Sequence, residues 1–223
     1  YGYMNRGAHE GEVGVDIYYY DIEKNVVQEK AFIPSTKSFA IAEEELGKMV
    51  YYNQDQNLLY ILAGGKFYKI DLTKDEQTVL AKNLEEGQYT VSADGHLIAY
   101  QTSGTINTAQ EIKVLNLKTD EENAVAAKSG EAIRPLGFIG SDFVYGYLRQ
   151  EDVGHTAAGG ELFPMYELEI RNSENEVMKT YSADQIYISD VFIEENMMTL
   201  NRVVKSGETY TVTSQDYISS NEE

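Results

Sequence analysis

The sequence predicts an all-β, propeller-like array of about five four-stranded blades, and three observations carry that expectation. One strand motif recurs along the chain at spacings of roughly 45 to 53 residues. Short runs rich in Tyr, Ile, Val and Thr alternate with turn residues from end to end. No segment holds a strong helical pattern, and no Pro- or Gly-rich linker divides the chain, since Pro34, Pro135 and Pro164 lie far apart. Residues 1–223 therefore read as a single propeller-like domain, whole, incomplete or a piece of a larger propeller.

The clearest repeat is residues 88–127, with strands expected at 89–92, 97–102, 112–117 and, more weakly, 124–127. Asp94-Gly95 punctuates the first two, because glycine takes positive φ without a Cβ clash. The third strand of each repeat ends in an acidic or amide residue followed by a polar turn. Asp21, Asp71, Asn116 and Glu169 mark four copies, in 17–25, 67–75, 112–120 and 165–173, and a poorer fifth copy covers 208–213. Second strands precede them at 1–4, 58–62, 97–100, 143–148 and 197–203. Tyr1-Gly2-Tyr3-Met4 and Tyr145-Gly146-Tyr147-Leu148 are near copies of each other. Residues 39–52 supply more than the strict pattern needs. Ala, Glu and Leu make a helix over 40–48 conceivable, but the matching 187–199 is β-rich, and a strand and turn are expected.

Composition narrows the function classes. With 18 Lys+Arg against 37 Asp+Glu the formal net charge is -19, a field that repels nucleic acid and anionic membrane surfaces alike. Solubility is the simplest account of the acidity. The chain has no cysteine, so neither disulfides nor thiolate metal sites are open to it. High tyrosine and amide content without cysteine points to an exported bacterial protein, extracellular or attached to the cell envelope. No apolar run is long enough for membrane insertion as a helix. Tyr1 enters inside an apparent strand, so the expectation is a processed or truncated piece in which the first strand of the opening blade is missing or comes from the C-terminal residues.

Residues 91–102, Val-Ser-Ala-Asp-Gly-His-Leu-Ile-Ala-Tyr-Gln-Thr, resemble the repeat of TolB-type and dipeptidyl-peptidase-type β-propellers, whose blades carry a Ser-Pro-Asp-Gly turn before an apolar strand. Ala93 stands where those families usually have proline, and the other blades keep the strand order without the turn motif. The resemblance implies a fold used as scaffold, ligand platform or peptidase gate. It carries over no catalytic residue.

Motifs for catalysis are missing from the sequence. There is no G-x-S-x-G elbow and no phosphate-cradling loop. His9-Glu10 begins like a zinc-protease motif, but Val13 occupies the place of the second histidine. His96 reads as a turn residue. The acidic runs at 43–45, 120–122 and 222–223 lack the spaced arrangement that calcium coordination needs and read as solvated turns and ends. Tyrosines such as Tyr52, Tyr60, Tyr68 and Tyr100 are expected to pack between blades. No enzyme activity, cofactor or metal is implied.

The loops 5–13 and 149–163 follow the duplicated Tyr-Gly-Tyr strands and are longer than a tight hairpin requires. Both are expected to project from one rim, where loops carry recognition residues. Arg6, His9, Arg149 and His155 are then candidate ligand-binding groups suited to a carboxylate or a polar sugar. A plainer reading has the loops varying only in length, with those basic residues paired to Glu10, Glu151 and Asp152. The function expected is a non-enzymatic binding module for a peptide, glycan or partner protein. The alternative is an accessory propeller of a larger secreted hydrolase of peptidase type, whose catalytic domain lies outside this chain.

Overall fold

The structure, a computed structural model, describes residues 1–220. The chain divides into two compact units, residues 1–84 and the remainder beginning at Glu85. Strands dominate both, in successive and mainly antiparallel sheets of blade type, as the repeat predicts.

The first unit opens with β1 (Gly2–Tyr3), β2 (Val13–Asp21) and β3 (Val26–Pro34), a three-stranded sheet in that order. A helix, α1 (Phe39–Lys48), follows. Then come β4 (Val50–Asn53), β5 (Leu58–Ala63), β6 (Lys66–Asp71) and β7 (Glu76–Ala81), each hydrogen-bonded to the next. Val15, Ile33, Ile61, Ala63, Tyr68, Ile70 and Leu72 form the core of this unit.

The helix corrects the expectation of a strand and turn over 39–52, of which only β4 survives. Ala40, Ala42, the three glutamates and Leu46 are strong helix formers. Ala42 and Leu46, one turn apart, put a small apolar face on the unit's core, where Ala42 is buried and Leu46 packs on the cluster. Glu45 is tied by Lys37 at 2.9 Å and accepts from the Gly65 amide at 3.0 Å. Burial acts against the Glu45 carboxylate, but these donors outweigh it and hold its pKa below the ordinary range.

The second unit begins with β8 (Tyr89–Val91), β9 (Leu97–Gln101), β10 (Glu111–Asn116) and β11 (Glu121–Ala126), the four strands expected for 88–127. Ser92 Oγ donates to Asp94 at 2.7 Å and accepts from the Leu97 amide at 3.0 Å, while His96 lies 2.6 Å from Asp94, so His96 is a turn residue. Next are β12 (Ala132–Ile139) and β13 (Asp142–Leu148), then a single 3-10 turn (Gln150–Asp152), a small hairpin of β14 (Gly154–Thr156) and β15 (Glu161–Leu162), and β16 (Met165–Arg171) with β17 (Val177–Tyr181). The last sheet holds β18 (Ile186–Glu194), β19 (Met197–Ser206), β20 (Thr209–Val212) and β21 (Asp216–Ser219). A single pairing, Met165 with Ile188, joins it to β16.

Strands β20 and β21 run one after the other along the same edge of β19. The residues between them bulge opposite Arg202, whose guanidinium donates to the carbonyl and hydroxyl of Ser214, both at 2.8 Å. Residues 216–219 thus hydrogen-bond to β19. Glu222 and Glu223, one of the acidic runs, lie outside the described residues.

The turn after each third strand has a common chemistry. Asp21, Asp71 and Asn116 each accept backbone N–H groups two or three residues on, and Asn25, Asp75, Asp120 and Asn175 lie in these turns at φ between 53° and 63°. Asn and Asp reach that left-handed conformation more readily than other side chains. In the fourth copy the turn residue is Asn172, which accepts from the Glu176 amide at 2.9 Å. Glu169 instead lies within the strand, where its carboxylate accepts from the hydroxyls of Tyr145 and Tyr147.

Tyr60, Tyr68 and Tyr100 are buried as expected, whereas Tyr52 faces solvent and donates to Asn57 at 2.9 Å. The two Tyr-Gly-Tyr strands differ in the same way: Tyr147 is buried, whereas Tyr3 at the matching position is exposed, because β1 is a two-residue edge strand. Among the described residues no helix is long and apolar enough to cross a membrane.

Candidate functional site

The connection from β13 to β16 is the feature of the second unit with most to offer a ligand. Arg149 leaves β13 in an extended conformation, and the chain then turns once, with the Asp152 amide donating to the Arg149 carbonyl. That turn brings the side chains at positions three apart together, and Arg149 Nε donates to Asp152 Oδ2 at 2.7 Å. Strand β14 next pairs in parallel with β20, and the His155 amide donates to the Glu208 carbonyl at 2.8 Å. Gly154 permits this approach, since a Cβ there would lie 2.5 Å from the Glu208 carbonyl oxygen. The segment 149–163, expected to project from a rim, therefore extends the last sheet, because its backbone groups find partners on the free edge of β20.

Around the turn, aromatic rings and cations interleave. The Arg149 guanidinium lies 4.1 Å from the centroid of the Tyr166 ring, and Lys128 lies 4.5 Å and 5.4 Å from those of Tyr147 and Tyr166. Tyr166 donates to Glu131 at 2.6 Å, and Lys128 pairs with Glu167 at 2.7 Å. Asp152 is buried and collects the Tyr187 hydroxyl at 3.2 Å on its carboxylate and the Tyr210 hydroxyl at 2.6 Å on its carbonyl. On the other side of the loop, Gln150 donates to the Asn107 carbonyl at 3.1 Å, and Arg134 of β12 donates to Asn107 Oδ1 and to the Phe163 carbonyl. Both ends of the segment are thus tied to the sheet.

Electrostatics follow from this packing. Burial first, then the hydrogen bond to Glu131, pushes the Tyr166 hydroxyl up to about 12 from an ordinary value of 10.0, with Lys128 opposing. Burial and the Asp152 carboxylate raise Tyr187 and Tyr210. For Arg149, burial works against the charge, but Asp152 prevails and holds its pKa above the ordinary value. A tyrosine with a raised folded-state pKa contributes stability that is fully present below its unfolded value and lost as pH rises through the folded one. The second unit is therefore expected to lose stability between pH 10 and about 12. Tyrosinate absorbance should rise in two stages, the buried rings ionising only with alkaline unfolding. A single transition near the ordinary value would contradict this.

Of the four residues predicted as ligand-binding, Arg6 and His9 belong to the first unit and Arg149 and His155 to the second. Arg6 is exposed on the β1–β2 connection. His9 stacks on Phe32 with ring centroids 4.0 Å apart and lies 3.2 Å from Glu29 and 3.5 Å from Glu12. His155 is an exposed strand residue. Arg149 meets the cluster described above, pairing with Asp152 as the plainer reading anticipates. Sequence reasoning singled out neither Tyr166, Tyr187 and Tyr210 nor Lys128 and Arg134. A signal existed for Arg134, a lone charge in the apolar run Ala-Ile-Arg-Pro-Leu-Gly-Phe-Ile.

A second concavity, lined by Leu97, Asn116, Phe143, Arg171 and Asn175 among others, encloses about 100 Å³, room for a few waters. Arg171 is already committed there, donating to the Tyr145 hydroxyl at 2.6 Å and the Asn175 carbonyl at 3.0 Å. The corner around Arg149 is the better candidate.

No protein-family model and no curated protein matches the chain. Solved structures of propeller type are similar at a low level. The RRP9 WD40 repeats align at 10% identity and a TM-score of 0.39, over 74% of this chain and 50% of theirs. The β-propeller domain of the Trilobed protease from Pyrococcus furiosus aligns at 13% and 0.37, over 74% and 52%. Porphyromonas gingivalis dipeptidyl peptidase 4 aligns at 8% and 0.29, over 93% and 43%. The chain spans about half the length of these structures or less. The blade assignment stands on the strand ladders themselves.

Proposed function

We propose that this chain is a non-enzymatic binding module of an exported protein, recognising a peptide or partner protein through the corner formed by Lys128, Arg149, Tyr166 and Tyr187. The observation that carries the reading is the Arg149 guanidinium, held over the Tyr166 ring by the buried Asp152. Tyrosine and arginine dominate the energetics of protein interfaces, and side chains already fixed before binding lose little entropy when a partner arrives. Lys128 and Arg149 are already paired with Glu167 and Asp152, so the corner recognises a segment chiefly through its aromatic rings and not through a surplus of positive charge. Kinship with TolB-type propellers, read from residues 91–102, belongs to the same proposal.

The test is a screen of immobilised peptides and glycans against the wild type, a Tyr166→Ala variant and an Arg149→Ala, His155→Ala double variant. Peptides should be captured, and Tyr166→Ala should weaken capture by about tenfold or more, the loss of about 1.4 kcal/mol that one interface anchor commonly supplies. Capture unaffected by either change would remove this corner from consideration. Capture of glycans alone would overturn the ligand class. Recovery of the full-length protein from the cytoplasmic fraction of its source cells would overturn the export.

A further inference from the structure

Arg134 occupies the middle of β12, in a run whose neighbours Ile133 and Pro135 are buried. Its Nη2 donates to Asn107 Oδ1 and, at the long distance of 3.5 Å, to the Phe163 carbonyl. Both acceptors are neutral. Its Nε is buried and has no hydrogen-bond partner, although the residue as a whole keeps some exposure to solvent. Among the described residues Arg134 forms no ion pair, in a chain with 37 acidic side chains. Its surroundings disfavour the charge, since burial lowers the guanidinium pKa against a longer-range pull from Asp190. A guanidinium placed among neutral acceptors with one N–H unsatisfied is costly, and proteins that keep such a group usually supply it with an anion.

We propose that Arg134 is the binding site for a ligand carboxylate, an assignment that deepens the peptide-binding reading by naming the group recognised at the floor of the same loop. The planar fork of the guanidinium matches the two oxygens of a carboxylate. The weak contact to the Phe163 carbonyl is the one an entering oxygen displaces. Asn107, which accepts from the fork, is itself held by Gln150, whose side chain donates to the Asn107 backbone carbonyl at 3.1 Å. One guanidinium with Asp190 in range suits a monoanion better than a phosphate dianion, which the acidic chain repels more strongly.

The test follows the Arg134 Nε–Hε resonance by NMR, assigned by its loss in Arg134→Lys, while sodium acetate is titrated against sodium chloride at equal ionic strength. Inorganic phosphate and a short acidic peptide with a free or an amidated C-terminus form the other arms. The resonance should shift saturably with acetate and not with chloride. Saturation by the free-acid peptide at lower concentration than by its amide assigns the carboxylate to a chain end, and equal saturation assigns it to an acidic side chain.

Thermal unfolding provides the second measurement. Without ligand, Arg134→Met should unfold at or above the wild-type midpoint, because a buried unpaired charge has gone. It should also lose the rise in midpoint that acetate gives the wild type. A resonance indifferent to every carboxylate, saturation by phosphate in place of acetate, or an Arg134→Met variant several degrees less stable would overturn the proposal, the last by showing a purely structural role. Capture that depends on Tyr166 without any Arg134 response sinks this inference alone. An Arg134 response with capture indifferent to Tyr166 sinks the functional reading alone.

Discussion

Replacing Gly154 by alanine is expected to lower the thermal midpoint of the second unit and to release residues 149–163 from the last sheet. The added Cβ would stand 2.5 Å from the Glu208 carbonyl oxygen and 2.8 Å from the Tyr210 ring. Neither can yield easily, since the carbonyl accepts the His155 amide and the ring carries the hydroxyl that donates to Asp152. Overpacking of this kind costs about 1–3 kcal/mol, and each kcal/mol lowers the midpoint by roughly 2–4 °C at this size. Limited proteolysis should then cut within 149–163 faster than in the wild type. Gly160→Ala is the control, because its Cβ would meet only Thr156 Oγ1 at an ordinary 3.4 Å. Equal midpoints and equal cleavage for the two variants would show that β14 does not depend on that close approach.

Asp152→Ala is expected to destabilise the same unit by about 2 kcal/mol. The carboxylate is 7% exposed and accepts from Arg149 and Tyr187, so its removal leaves a cation and a hydroxyl without their acceptor. Hydrogen bonds to a charged group contribute about 1.5–3 kcal/mol. The lower part of that range applies, since Arg149 is about a third exposed and water can replace part of what it loses. Asp152→Asn keeps the shape and should cost less. In a double-mutant cycle of Arg149→Ala with Asp152→Ala, a coupling of at least about 0.5 kcal/mol is expected for two residues in one network. Strict additivity would mean that Asp152 does not position Arg149, and the functional proposal would lose its anchor.

The repeat was legible because it is written in local chemistry. Asp21, Asp71 and Asn116 each bond to backbone N–H groups of their own turn, and a turn residue acts within two or three positions of itself. Residues 39–52 misled for a related reason. Their composition favoured helix, but the comparison with 187–199 outweighed it, and only packing of Ala42 and Leu46 on the core tells the two apart. Glu169 shows the limit of spacing: it occupies the ruler position, yet its carboxylate is spent on two tyrosines of the neighbouring strand.

What the sequence determined by itself was the class of fold, the four-stranded repeat of residues 88–127 and the positions of the turns after the third strands, because these depend on alternation and on residues close along the chain. Only the tertiary structure decided what surrounds Arg149 and Arg134. Tyr166, Tyr187 and Tyr210 reach the Arg149 corner from three different strands, and Asn107 and Phe163 reach Arg134 from two different loops. Contacts of that kind are set by sheet register and by the pairing of β14 with β20. They join residues distant in sequence, so even where a lone charge in an apolar run marks Arg134 as unusual, the run does not name its partners.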